Sequence, residues 1–194
     1  MLINWQQRHL NLKVVYYGPA LSGKTTNLEM IHSRVDANHR SDLISLKTNE
    51  DRTLYFDFVQ LELGKICGLT PKINLYTVPG QSYYKESRKM VLRNTDGVVF
   101  VADSARNRLE DNLIAWRDMH EQLVAYQSPN QVLPVVVQYN KRDLPNAMSL
   151  RRMKKALGAG KYPGFEAVAS EGSGILDTLK AIVQAVMLQV QNQI

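Results

Sequence analysis

The sequence predicts an α/β fold in which a mostly parallel sheet carries helices on both faces. Short apolar, β-branched runs recur along the 194 residues and alternate with helix-compatible segments. The runs are almost continuously apolar, the pattern of strands buried on both sides. No linker, repeat or low-complexity stretch divides the chain, so residues 1–194 are expected to form a single domain.

The elements follow in order. "LKVVYYG" (Leu12 to Gly18) is a β-branched run that stops at glycine, and "KTTNLEMIHSRV" carries Leu28, Ile31 and Val35 at helical spacing. That reads strand, loop, helix. Further strands are expected at Lys72 to Val78, Gly97 to Asp103, Pro134 to Asn140 and Phe165 to Ala169, with helices near Tyr84 to Arg93, Arg108 to Tyr126, Ser149 to Leu157 and Gly174 to Gln191. Leu109, Leu113, Trp116, Met119 and Leu123 form one apolar stripe, and Ile175, Leu179, Ile182, Val183, Val186 and Val190 another. Both are read as core, with a partner groove as the alternative.

"LYFDFVQLEL" behaves differently. Leu54, Phe56 and Phe58 occupy even positions, then Val59, Leu61 and Leu63 occupy odd ones. Strand side chains alternate with period two, so the change of parity suggests a bulge near Phe58 and Val59 or a register able to slip. A strand buried on both sides is the alternative.

Composition excludes several classes. No run approaches the roughly 18–20 apolar residues of a membrane span, and Met1 to Leu10 lacks a signal peptide's basic start and apolar middle. A cytoplasmic protein is expected. There is no Met-Gly start and no cysteine at the end to prenylate, so no direct membrane anchor is expected. Cys67, the only cysteine, reads as a reduced, buried small residue, and His9, His32, His39 and His120 have no metal-site spacing with it. The charge of +6 permits attraction to nucleic acid or acidic membrane without establishing either. The densest basic run, Arg151 to Lys155, has no interleaved aromatics and reads as a solvated helix face rather than a binding patch. No nucleic-acid partner is expected.

"GPALSGKT" fits G-x-x-x-x-G-K-[ST] between the strand and helix this motif requires. Its glycines let backbone N–H groups close around phosphate oxygens, and the helix N-terminus adds positive potential. Gly18, Pro19, Ala20, Leu21, Ser22, Gly23, Lys24, Thr25 and Thr26 are therefore candidate nucleotide contacts. Lys24 reaches the β- and γ-phosphates, and the Thr25 hydroxyl can ligate Mg²⁺. "NKRD" (Asn140 to Asp143) sits at a strand end, where open α/β sheets bind ligands. The Asp143 carboxylate can accept from guanine N1–H and the exocyclic amine, a donor pair that adenine lacks. Asn140 can brace the loop and approach guanine N7, and the Lys141 stem can cover the base. "ASEGSG" could offer a backbone N–H to guanine O6 from Ala169 or Ser170. A surface turn is the plain alternative for "NKRD".

In this order the elements make the chain resemble Ras-like small GTPases over essentially its full length. "YYGPALSGKTTNL", "EDRTLYFDF", "YTVPGQ", "VFVADSA" and "NKRDLP" together are similar to the MglA family of bacterial polarity and gliding-motility GTPases. The resemblance implies a six-stranded Ras-type sheet with one antiparallel strand and an extra N-terminal β element within Leu2 to Gln7. It implies GTP/GDP as ligand with Mg²⁺, and Thr53 as a second metal ligand when the γ-phosphate is present. Thr77 stands where most Ras-like proteins carry aspartate. The MglA family carries threonine there, and its hydroxyl is expected to hold the metal-bound water the carboxylate would hold.

The resemblance also implies that Arg52 is an arginine finger supplied in cis and that Gln81 orients the attacking water, while Gly80 offers its N–H to the γ-phosphate. Ala20, where many relatives have glycine, puts a methyl near these groups, so slow unassisted hydrolysis is expected. The resemblance further implies sliding of the second strand between nucleotide states and a Roadblock-domain GTPase-activating partner, an MglB-like dimer. Motility or cytoskeletal effectors and recruitment to a cell pole follow from it too. A nucleotide-locked adaptor that barely hydrolyses GTP is the alternative function, and a phosphate-loop ATPase or kinase a more distant one.

Overall fold

A computed structural model describes residues 2–47, 53–65, 68–80, 84–126 and 133–191. The elements are β1 (Leu2–Asn4), β2 (His9–Tyr17), α1 (Lys24–Arg34), β3 (Ile44–Lys47), β4 (Thr53–Glu62), β5 (Thr70–Thr77), α2 (Lys85–Leu92), β6 (Gly97–Asp103), α3 (Leu109–Tyr126), β7 (Val135–Asn140), α4 (Leu150–Leu157), β8 (Gly164–Glu166) and α5 (Ile175–Gln191). The sheet runs β3-β4-β5-β2-β6-β7-β8. β5, β2, β6, β7 and β8 are parallel, and β4 is antiparallel to β5.

Period two along β2 separates two cores. Leu10, Leu12, Val14 and Tyr16 join Leu28 and Ile31 of α1 and Ile175, Leu179, Ile182 and Val186 of α5. Val15 and Tyr17 join Leu92 of α2, Trp116, Met119 and Leu123 of α3, and Met153 and Leu157 of α4. The two apolar helix stripes are thus core, as expected. On α4, Met153 turns inward while Arg151, Arg152 and Lys155 are exposed.

The N-terminal element is real. β1 pairs antiparallel with the start of β2, Leu2 opposite Asn11 and Asn4 opposite His9. β5 occupies one edge of β2 from His9 to Tyr16, so β1 must use the edge that β6 takes from Val14 onward. The four residues of β3, too short and too mixed to stand out in the sequence, add an antiparallel edge strand.

The bulge expected at Phe58 and Val59 is absent. β4 pairs with β5 in unbroken register from Phe58↔Tyr76 to Glu62↔Lys72. The register shift lies instead in the β3–β4 pair, between Ser45 and Lys47. The sequence looks shifted because position 57, inward-facing with Val59 and Leu61, carries a carboxylate. Phe56 and Phe58 pack on Tyr76 across the other face, with ring centroids 5.7 and 4.8 Å away.

Candidate functional site

The chain leaves β2 for β5 on one side and later places β6 on the other, so the loop after β2 lies at the point where strand order reverses. That is where open α/β sheets take ligands. Gly23 precedes α1 with φ of 100°, and no side chain caps the helix. The first turn also lacks an acidic residue, which leaves the positive end of α1 toward the loop. A Cβ at Gly23 would sit 2.2 Å from Asn140 Nδ2, so this position tolerates no side chain.

Lys24 is buried and donates from Nζ to the carbonyls of Gly18 (3.1 Å) and Pro19 (2.7 Å). Burial pushes its ammonium down to about 7; Asp57 opposes the shift, while Arg88, Arg108 and Lys141 add to it. A phosphate beside Nζ would restore the charged form. Ser22 is fully buried, and Leu21 is exposed at φ 62°. Thr25 and Thr26 open α1 behind Lys24.

Asn140 ties three loops together. Its Nδ2 donates to the Ser22 carbonyl (2.8 Å), and its Oδ1 accepts from the Ala169 N–H (2.9 Å). Lys141 has φ of 62°, and its Nζ lies 2.7 Å from Asp103 Oδ2. Arg142 fixes the loop from outside, donating to Glu166 and to the Met148 carbonyl, while Asp143 is exposed. The Ala169 N–H is taken by Asn140, and Ser170 follows it in a single helical turn, Ala169–Glu171.

Asp57 is the residue that sequence reasoning missed. It is fully buried. Its Oδ2 accepts from Thr25 Oγ1 (2.6 Å) and Thr77 Oγ1 (2.8 Å), while Ser45 Oγ bonds Oδ1. Thr77 is held at both ends, since its Oγ1 also accepts from the Asp57 N–H at 2.7 Å. The hydroxyl expected to hold a metal-bound water is thus bonded to Asp57. A carboxylate set between Phe56 and Phe58 in the middle of the strand was the signal that could have revealed it.

Gly80 reaches the phosphate loop: a Cβ there would be 2.4 Å from both the Cα and N of Ala20. Thr53 opens β4 opposite Lys47. Arg52 and Gln81 lie outside the described residues. The donor set suits Mg²⁺, a hard cation with oxygen ligands that usually keeps several waters. The Thr25 hydroxyl is at hand, and a buried carboxylate stands next to it to accept from a bound water.

A phosphate cradle joined through one buried asparagine to a base-reading loop defines a small GTPase. The chain belongs to the ADP-ribosylation factor family, whose model matches residues 1–186. It is 47% identical over 189 residues to the mutual gliding-motility protein MglA of Myxococcus xanthus (strain DK1622), covering 97% of each chain. ADP-ribosylation factor-like protein 4D of Mus musculus is 32% identical over 122 residues, 62% of this chain and 57% of its own. The human ADP-ribosylation factor-like protein 4A is 28% identical over 155 residues, 76% and 66% respectively.

Proposed function

We propose that residues 1–194 act as one G domain that binds GTP and GDP with Mg²⁺ and hydrolyses GTP, slowly alone and faster with an activating partner. The observation that carries the metal assignment is the Asp57 carboxylate, buried 2.6 Å from the Thr25 hydroxyl. In this reading Thr25 and Thr53 ligate the ion, and Asp57 accepts from its water. Bound Mg²⁺ would supply charge neutralisation at the phosphate oxygens.

The chain's own groups do the rest. Amides of residues 18–26 and the start of α1 hold the phosphates, and Lys24 follows the charge as it moves onto the leaving oxygens. Asp143 reads guanine N1–H and the amine, the Lys141 stem covers the base, and the Ser170 amide faces O6. Gly80 contributes an N–H at the γ-phosphate once it draws back from Ala20. Gln81 orients water and Arg52 stabilises the developing charge, a term worth roughly 10³ to 10⁵ in rate.

Regulation follows the 47% identical relative, whose name records gliding motility. The partner proposed is a Roadblock-domain dimer like MglB, with motility or cytoskeletal effectors and cytoplasmic residence with recruitment to a pole. The contact of Gly80 on Ala20 favours one second reading, a nucleotide-locked adaptor, because the γ-phosphate must displace it.

Phosphate release from GTP, with and without a Roadblock dimer, tests both. Arg52→Ala and Gln81→Ala should keep GDP binding and lose the stimulated rate. Wild-type stimulated turnover in either variant removes that residue's role, and a wild type that binds GTP without cutting it selects the adaptor.

A further inference from the structure

Outside the phosphate and base loops, one buried carboxylate stands between two cations that each reach the site. Asp103 closes β6, directly beside Asn140 in the parallel β6–β7 register. Its side chain is 1% exposed. The backbone on either side of it is fixed: its N–H donates to Asn112 Oδ1 (2.9 Å), its carbonyl accepts from Asn112 Nδ2 (2.8 Å), and its Oδ1 accepts from the Ala105 N–H (3.0 Å). That leaves Oδ2 to meet charge.

Two cations share Oδ2. Lys141 Nζ lies at 2.7 Å, and Arg108 Nε at 3.8 Å. Arg108 comes from the single helical turn after β6 and does more than pair. One terminal nitrogen donates to the Ala20 carbonyl at 2.6 Å, and the other pairs with Asp111 at 2.5 Å. The planar guanidinium therefore spans a fixed carboxylate, a second carboxylate and the phosphate-loop backbone at once, a geometry lysine could not reproduce. On the other side, the lysine whose stem would cover the base has its head fixed by the same oxygen.

We propose that Asp103 and Arg108 are positioning residues that couple the base-reading loop to the phosphate loop. Asp103 fixes the Lys141 head directly and orients Arg108, and Arg108 holds the Ala20 carbonyl. Guanine contacts at one end and phosphate-loop geometry at the other then settle together. Neither residue touches the nucleotide. The inference rests on the guanine-nucleotide reading above.

The test uses the full chain and two diphosphates, GDP and IDP, which lacks the exocyclic amine that Asp143 would accept from. Dissociation constants and release rates for both are measured on wild type, Arg108→Ala and Asp103→Asn. Arg108 is about a quarter exposed, so its truncation leaves the core intact, and asparagine keeps an acceptor for the Ala105 N–H.

Loss of a charged hydrogen bond at the loop is expected to speed GDP release by about 10-fold or more. The coupling makes a sharper demand. Arg108→Ala removes the bond to the Ala20 carbonyl and leaves Lys141 its own bond to Asp103, yet it should lower the preference for GDP over IDP by about threefold or more, on the order of a neighbour coupling energy. A purely structural role would weaken both nucleotides equally, and an unchanged ratio in both variants overturns the inference. A wild type that binds neither diphosphate instead overturns the nucleotide reading itself.

Discussion

Replacing Asp57 by asparagine isolates the metal-site reading. The amide keeps the volume of the carboxylate and removes its charge at a fully buried position. The three hydroxyls around it, on Thr25, Thr77 and Ser45, can rotate and accept from the new N–H groups, so the strand pairing should survive. What is lost is a charged acceptor beside a metal ligand. Outer partners of this kind typically contribute about 10- to 100-fold in metal affinity, or about 1.4–2.8 kcal/mol. The scale of a hydrogen bond to a charged group, about 1.5–3 kcal/mol, gives the same range independently. The assay is release of fluorescent GDP in buffers of graded free Mg²⁺, where the midpoint of Mg²⁺ protection should rise by one to two decades. Release at saturating Mg²⁺ should return close to wild type. A folded Asp57→Asn variant with an unmoved midpoint would refute the assignment of Asp57 as the water acceptor.

Gly23→Ala places a Cβ where Asn140 Nδ2 stands, at a backbone φ of 100° that alanine rarely adopts. It should lower GDP affinity by more than about 100-fold by breaking the Asn140 clamp as well as the loop, read by calorimetry; binding within tenfold of wild type would contradict the geometry. Asp118 gives a pH prediction. Burial opposes its ionisation, but hydrogen bonds from Tyr17 and Gln122 and the Arg88 guanidinium outweigh this and hold it below the ordinary carboxylate range. Its contribution to stability is therefore full above the ordinary carboxylate range and is lost as pH falls from there through the folded value. Asp118→Asn should cost stability at pH 6 and much less near pH 2.5 in urea unfolding; an equal deficit at both would exclude that linkage.

How far the sequence could be read depended on whether one strand or two were needed. The phosphate loop and "NKRD" are contiguous, so spacing alone located the residues that Asn140 later ties together. Gly97–Asp103 was found to the residue because a run buried at every position ends sharply. β3 stayed hidden because four residues carry too little period to separate from a loop. Asp103 and Arg108 were passed over because their partners, Lys141 and Ala20, are 38 and 88 residues away. The bulge was misplaced because a hydrophobic pattern treats an inward carboxylate as a break in parity, although Phe58 and Val59 themselves pair with β5 in unbroken register.

That carboxylate also explains why threonine at 77 is compatible with a metal site. Continuing the register Phe58↔Tyr76 by one step sets Asp57 opposite Thr77, and the Asp57 N–H bond to Thr77 Oγ1 agrees. Opposed residues of an antiparallel pair put their Cβ atoms about 4.5–5.5 Å apart on one face, within reach of a shared ligand. Moving the acid from β5 to β4 while β5 keeps a hydroxyl therefore preserves one carboxylate–hydroxyl pair over Thr25. If the positions are interchangeable in this sense, Asp57→Ser combined with Thr77→Asp should regain most of the Mg²⁺ protection that Asp57→Ser alone loses. A double variant no better than the single one would mean that the site needs its acid on β4, held by Ser45 as well, and that the exchange between strands is not neutral.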